Sequence, residues 1–327
     1  MHKAFMMIGC GRIAYRHAEE MLVAGRLVAA CDPDPQALAA FCSRYNIPGF
    51  RDLSAMLQAV EGDTAVVCSP NACHPEQVAV ALEAGLDVLC EKPLCLHGTD
   101  ARRLLALEAA SRKNVYLVLS ARYHSLLQAL RRAIAEGRLG EIFSFQMNAA
   151  WHRDAGYYTN SRWRGSADMD GGVLYTQFSH YLDALCWCLG PVGVQAVSRR
   201  NAAHPNTVAG EDCGTALLQA AGGAIGTLHW TINATHNNME VSLLVVAEKA
   251  TIRIGGAFMN ELTYLQAATG EAALETFFSA AQENNPRPGN HHRVYKALAG
   301  ETGAAALPGI AEGIPSIELI ESIYHAG

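Results

Sequence analysis

Three stretches of this sequence carry residue types whose spacing suits a chemical task. The first is Gly9-Cys10-Gly11-Arg12-Ile13-Ala14, a G-x-G-x-x-A pattern directly after the apolar run Ala4–Ile8. In such a loop the first glycine permits a tight turn. The second lets a pyrophosphate approach the backbone, and the small third residue lets helix pack on strand. The helix that opens there offers N–H groups and a positive dipole end to phosphates. Asp32 stands 23 positions after Gly9, at the end of the next apolar run. A carboxylate there binds ribose hydroxyls and repels a 2′-phosphate, and no arginine immediately follows it, so the pattern predicts NAD in preference to NADP. Without a cofactor the same residues are a glycine turn and a capping aspartate. The strand, loop and helix context favours the dinucleotide.

The second stretch is Glu91-Lys92-Pro93, again at a strand end. A lysine there is either a solvated turn residue or a proton donor and electrostatic anchor, with burial lowering its pKa toward a useful range. Chemistry alone leaves these readings even. The third is Tyr175-Thr176-Gln177-Phe178-Ser179-His180-Tyr181-Leu182-Asp183. As a helix it puts Thr176, His180 and Asp183 on one face, at i, i+4 and i+7. A histidine with a nearby carboxylate suits a general base; the alternative is a histidine hydrogen-bonded within a domain interface.

Weaker signals surround these. Cys68-Ser69-Pro70-Asn71 ends another strong strand, at the edge where a parallel sheet borders its ligand crevice; alone it is a turn and a helix start. Trp151 and Trp163 lie near Arg153, Arg162 and Arg164. Together they line either a pocket for an anionic or nucleotide-bearing substrate or a packed loop with solvated arginines. The pair His291-His292 lacks a third metal ligand, so surface or substrate-loop histidines are expected. The 10 cysteines are scattered without C-x-x-C spacing. They are expected to be core thiols in a reducing cytoplasm, with no metal site.

The elements that must position these residues fall into two patterns. Up to about residue 120, near-continuous apolar strands (Ala4–Ile8, Leu27–Cys31, Thr64–Cys68, Leu86–Cys90, Val115–Ser120) alternate with helical stretches. Strands of that kind belong to a parallel sheet covered by helices on both faces, which predicts a doubly wound Rossmann domain over residues 1–122. Beyond it, Ile142–Asn148 alternates in period two, and Cys213–Gln219, Ala224–Asn233 (alternating from Thr227 on), Val241–Ala247 and Thr251–Ile254 are further strands. Residues 123–327 are therefore expected to form an α+β substrate-binding and oligomerisation domain. Its sheet is open and largely antiparallel, with helices on one face. A last helix near 315–325 is expected to pack back on the first domain.

Composition narrows the function classes. Of 327 residues, 50% are hydrophobic and 17% charged, which excludes a disordered chain. The net charge of -6 and the lack of a basic run argue against nucleic acid. No apolar run is long enough to span a bilayer, and the first residues do not read as a signal peptide.

The ordered set Gly9–Ala14, Glu91-Lys92-Pro93 and Gly171-Gly172-x-x-x-x-Gln177-x-x-His180-x-x-Asp183 resembles the glucose–fructose oxidoreductase / inositol dehydrogenase (Gfo/Idh/MocA) family of NAD(P)-dependent sugar oxidoreductases. The resemblance covers nearly the whole chain. It implies Lys92 near the nicotinamide and the reacting hydroxyl, and His180 as the acid/base residue, with Thr176 and Gln177 beside the substrate. It implies that Gly9, Gly11, Arg12, Ile13, Asp32, Ser69, Pro70, Asn71, His74, Glu91, Pro93, Arg122 and Trp163 border the cofactor. A cis Lys92–Pro93 bond and a homodimer or homotetramer are further implications. Many inositol dehydrogenases carry Asp where this chain has Thr176. Members acting on UDP-N-acetylglucosaminuronate often have a non-acidic residue there, and V-C-S-P-N with L-C-E-K-P looks like that branch. The expected activity is oxidation of a secondary hydroxyl of a sugar, inositol or sugar acid. The rival readings are a non-catalytic cofactor-binding regulator and a carbonyl reductase with recycled cofactor.

Overall fold

The computed structural model describes residues 3–284, 290–301 and 306–326. The chain divides into two compact units: residues up to Leu119 with His291–Ile314, and Ser120–Asn290 with the residues from Pro315 onward.

In the first unit, β1 (Lys3–Ile8), α1 (Arg12–Ala24), β2 (Gly25–Cys31), α2 (Pro35–Tyr45), β3 (Gly49–Phe50), α3 (Leu53–Ala59), β4 (Thr64–Val67), α4 (His74–Glu83), β5 (Asp87–Cys90), α5 (Gly98–Ser111) and β6 (Val115–Leu117) alternate. The six strands lie in the order β3-β2-β1-β4-β5-β6, and every neighbouring pair is parallel. This is the doubly wound sheet that the apolar runs predict. Phe5, Met6, Met7 and Ile8 are at most 1% exposed, each worth about 1.5–3 kcal/mol of burial. Two helices start on side-chain caps: Asp34 accepts from Gln36 and Ala37 N–H, and Asp52 from Ala55 N–H. β6 stops three residues short of the apolar run that marks it. Leu117 N–H donates to Pro308 O, and Ser120–Tyr123 turns as a 3-10 helix.

The second unit carries α6 (Ser125–Ala135), β7 (Ile142–Ala150), α7 (Ala155–Thr159), α8 (Ala167–Asp170), a π-helical segment Leu174–Phe178, α9 (Ser179–Leu189), β8 (Val192–Arg200), β9 (Cys213–Ala220), β10 (Ile225–Thr231), β11 (Glu240–Ala247), β12 (Ala250–Gly255), β13 (Glu261–Ala267) and α10 (Ala272–Glu283). Its seven strands run β13-β12-β11-β7-β10-β9-β8, antiparallel except for β7 beside β10. Along β10, Leu228 and Trp230 are fully buried while Ile225 is 60% exposed, which is the alternation expected of a sheet covered on one face.

Two further helices correct the sequence-based division. α11 (His291–Leu298) belongs to the first unit, because its buried Val294 and Tyr295 pack against α1. α12 (Ile310–His325) divides at Pro315, and its later part groups with the second unit. There Tyr324 Oη donates to Glu211 Oε1 at 2.8 Å, Leu174 N–H donates to Tyr324 Oη at 3.0 Å, and Arg199 donates to Tyr324 O at 2.7 Å. Among the described residues, no helix is long and apolar enough to cross a membrane.

Candidate active site

Four adjacent parallel strands end on predicted site residues. β1 leads to Gly9, β2 to Asp32, β4 to Ser69 and β5 to Lys92. Carboxyl ends of parallel strands are where open α/β sheets bind ligands.

The loop after β1 is built for close approach. Gly9 has φ +90°, and a Cβ there would lie 2.7 Å from Ser69 N, so only glycine fits beside the end of β4. A Cβ on Gly11 would meet nothing within 4 Å; a side chain would project into open space before α1. No side chain caps α1 and its first turn holds no acid, leaving Arg12 and Ile13 at a helix N-terminus suited to an anion. This geometry fits a dinucleotide pyrophosphate. Asp32 is tied to the same loop: its Oδ2 accepts from Cys10 N–H at 2.7 Å, and its Oδ1 from Asp34 N–H at 2.8 Å.

The next strand ends are joined to one another. His74 is buried, with Nδ1 2.7 Å from Pro93 O and Nε2 2.9 Å from Ser69 O. It is therefore wedged between the end of β4 and the Glu91-Lys92-Pro93 segment, and the neutral ring that burial favours donates to one of the two carbonyls. Pro70 precedes a 3-10 turn, Asn71–Cys73, in which Asn71 is buried. The Lys92–Pro93 bond is cis. Glu91 is buried and its carboxylate is bonded on both oxygens. Oε1 receives His17 Nε2 at 2.9 Å and His291 Nε2 at 3.3 Å, and Oε2 accepts from Lys92 N–H at 3.1 Å. Burial would raise the Glu91 carboxyl, but the bonds to His17 and His291 hold it well below the ordinary carboxylate value.

In the second unit Thr176 lies in the π-helical segment Leu174–Phe178, while His180 and Asp183 lie on α9, which follows it directly. The Thr176 hydroxyl donates to Asp170 O at 3.4 Å. Asp183 is not the general-base partner that its spacing suggests. Both its oxygens accept from Arg122, Nε to Oδ2 at 2.8 Å and Nη2 to Oδ1 at 2.6 Å, in a buried bidentate pair. Burial pushes the Asp183 carboxyl up, and Arg122 pulls it back. Arg122, expected beside a cofactor, also ties the 3-10 turn Ser120–Tyr123 to α9 through this pair.

Gln177, three residues before His180, bonds on both sides: Arg153 Nε donates to its Oε1 at 2.7 Å, and its Nε2 donates to Tyr157 Oη at 3.0 Å. The Arg153 guanidinium sits 4.9 Å from the Trp151 ring and 5.0 Å from the Tyr157 ring. Trp163 is half-buried, with the Arg164 guanidinium 5.6 Å from its ring, and Arg162 is exposed. The tryptophan and arginine loops are accordingly packed onto one another, with Arg153 tied to the helix that carries His180.

Arg153 is held in turn. His204 Nε2 lies 2.8 Å from Arg153 O, and His204 Nδ1 lies 3.1 Å from Asp212 Oδ2. Burial would raise the Asp212 carboxyl, but N–H donors from Ala202 and Ala203, with Asn233 and His204, lower it to about 2. A depressed folded-state pKa stabilises above the unfolded value, near 4, and that stabilisation is lost as pH falls toward 2. Asp212→Asn will therefore cost about 2 kcal/mol near pH 7 in urea unfolding, and its gap to the parent will close between about pH 4 and pH 2. A constant gap over that range would contradict this.

The residues around Glu91 were not legible as site residues. His291 is buried, contrary to the surface or substrate-loop placement read from the sequence, while His292 is exposed. The available signal was His17: it stands on the apolar stripe of α1, where an imidazole needs a buried partner.

Known proteins resemble this chain over its whole length. A family model described as an oxidoreductase family with an NAD-binding Rossmann fold (GFO_IDH_MocA) matches residues 3–119, and the GFO/IDH/MocA C-terminal domain matches residues 127–253. The crystal structure of the WlbA dehydrogenase from Chromobacterium violaceum, in complex with NADH and UDP-GlcNAcA, has a TM-score of 0.88 and 31% identity, covering 100% of this chain and 94% of that one. The WlbA dehydrogenase from Bordetella pertussis, with the same ligands, has a TM-score of 0.87 and 30% identity, covering 100% and 96%. Among curated proteins, the D-glucoside 3-dehydrogenase of Escherichia coli K12 is 33% identical over 203 residues, 59% of this chain and 55% of that protein. The chain spans about half the length of several such curated relatives.

Proposed function

Since this chain belongs to the Gfo/Idh/MocA oxidoreductases and its first unit is their NAD-binding Rossmann domain, we propose that it oxidises a secondary hydroxyl of a sugar, inositol or sugar acid to a ketone. Within that class the preferred substrate is a UDP-sugar acid of the UDP-N-acetylglucosaminuronate type. The observation that carries the activity is the gathering of Gly9, Asp32, Ser69 and Lys92 at the carboxyl ends of four adjacent parallel strands. The substrate class is supported by full-length likeness to the two WlbA dehydrogenases and by Thr176 at the position where inositol dehydrogenases often carry Asp.

The hydride leaving the hydroxyl-bearing carbon would pass to the nicotinamide of bound NAD⁺. The N-terminus of α1 and the Gly9–Gly11 loop hold the pyrophosphate, and Asp32 accepts from the ribose hydroxyls. A ring nitrogen of His180 takes the hydroxyl proton. Lys92 Nζ donates to the alkoxide oxygen as its charge develops. Thr176 and Gln177 contact the substrate, and Ser69, Pro70, Asn71, His74, Pro93 and Trp163 border the cofactor. The assembly is a homodimer or homotetramer in a reducing cytoplasm, the latter supported by ten free cysteines.

Reduction of NAD⁺ across inositols, free aldoses, sugar acids and UDP-sugar acids tests the substrate class. The UDP-sugar acid is expected to give the strongest signal. Turnover of an inositol or free aldose with none of the nucleotide sugar would contradict the nucleotide assignment. Asp32→Ala tests the cofactor assignment. Losing a charge-assisted hydrogen bond will weaken NAD⁺ binding about 10- to 100-fold, and NADP⁺ binding less. Two unchanged affinities in a titration would remove Asp32 from that role.

A further inference from the structure

The Glu91 cluster joins three distant pieces of the first unit. His17 comes from α1, Glu91 from the end of β5, and His291 and Tyr295 from α11. Their exposures are 0%, 8%, 6% and 2%. His17 and His291 meet edge to face at 4.8 Å, and the Tyr295 ring packs edge to face on Phe5 at 5.8 Å.

Proton positions follow from the partners. A carboxylate only accepts, so His17 Nε2–H donates to Glu91 and leaves Nδ1 to accept from Tyr295 Oη at 2.9 Å. Burial lowers the His17 pKa, in keeping with this neutral tautomer. His291 Nε2 supplies a further donor to the same carboxylate oxygen. The other oxygen is turned to the backbone. Glu91 N–H makes the last ladder bond to Val67 O at 2.9 Å, and the next N–H, that of Lys92, bonds to the Glu91 carboxylate. A buried carboxylate is costly unless hydrogen-bonded in this way. An apolar residue at position 91 would bury at less cost but could not hold the Lys92 N–H.

We propose that His17, His291 and Tyr295 are positioning residues. They lock the Glu91 carboxylate so that it fixes the backbone from which Lys92 is presented, and they tie that backbone to α1. This rests on the catalytic reading of Lys92. The chain of bonds makes the effect graded: Glu91→Gln and His17→Gln act directly on the lock, while Tyr295→Phe removes one hydroxyl and acts through the His17 tautomer.

Two measurements test it together. The first is amide hydrogen exchange at Lys92, which needs no substrate. Glu91→Gln and His17→Gln will exchange faster there than the parent, and Tyr295→Phe will lie between. The second is single-turnover hydride transfer with UDP-N-acetylglucosaminuronate and NAD⁺, beside NADH affinity by fluorescence. His17→Gln will slow transfer about 10- to 100-fold, the cost of a misplaced catalytic group, with NADH affinity kept within about twofold. Lys92→Ala is run in parallel. If it loses transfer while His17→Gln and Tyr295→Phe keep both the parental rate and the parental exchange, the positioning role is overturned and the Lys92 reading stands. If Lys92→Ala keeps the parental rate, the Lys92 reading falls, and the positioning role with it. Should His17→Gln not fold, Tyr295→Phe decides by the same two readouts. One equivalent of a divalent metal in the purified protein, lost in Glu91→Gln, would also overturn the proposal by making the cluster a metal site.

Discussion

Lys92→Ala will lower turnover by about 10²–10⁴-fold while leaving NADH affinity close to that of the parent. Lys92 follows the end of β5, in the row of strand ends that also presents Gly9, Asp32 and Ser69. Its backbone N–H is bonded to the Glu91 carboxylate on one side, and on the other Pro93 lies against the buried His74 ring. A residue anchored at both neighbours has little freedom to relocate its amine. The proposed work of that amine is to stabilise an alkoxide that exists only as the hydride leaves, so its loss should fall on kcat rather than on binding. Lys92→Met separates charge from packing, since it keeps an unbranched stem of similar length, and it should be as slow as Lys92→Ala. Steady-state kinetics beside a cofactor titration reads both quantities. Near-normal kcat in either variant would remove Lys92 from the mechanism.

A loss of similar size, about 10²–10⁴-fold in kcat, is expected for His180→Ala. His180 opens α9 directly after the π-helical segment. Single-turn π segments occur frequently at functional sites, because they re-aim the residues that follow. The surrounding helix is fixed by the buried Arg122–Asp183 pair and by Gln177 between Arg153 and Tyr157. These supports remain when the His180 ring is removed, so the variant should stay folded and lose rate far more than melting temperature. Added imidazole should restore part of the lost rate if the ring acts by taking a proton. Full activity without it, or a rate loss matched by unfolding, would contradict the assignment.

The first unit was largely legible because its signals are local. Strands buried on both faces read as unbroken apolar runs, and the G-x-G-x-x-A loop with Asp32 falls at a fixed distance along the chain. The second unit was less so. β8 and β13 are the edge strands of its sheet and mostly exposed, so Val192–Arg200 and Glu261–Ala267 show no apolar run to betray them. The π-helical segment Leu174–Phe178 leaves no mark in the spacing of apolar residues, which reads as one continuous helix there. Asp183 found a partner 61 residues away in Arg122, and Glu91 one 200 residues away in His291. Pairings over such separations depend on how elements pack, which spacing along the chain does not encode. For the same reason nothing along the chain assigns α11 to the first unit, where it packs against α1.

Hydride transfer from a sugar carbon to NAD⁺ is read in one single-turnover experiment. Purified protein, first stripped of any cofactor it carries, is mixed with one equivalent of NAD⁺ and excess UDP-N-acetylglucosaminuronate, and the nicotinamide absorbance is followed. Stoichiometric NADH per site is expected, with slower reduction of NADP⁺ and none in Lys92→Ala on the same timescale. No NADH from this substrate or from sugar acids, free aldoses and inositols, with NAD⁺ binding confirmed separately, would contradict it and leave a cofactor-binding protein that does no oxidation.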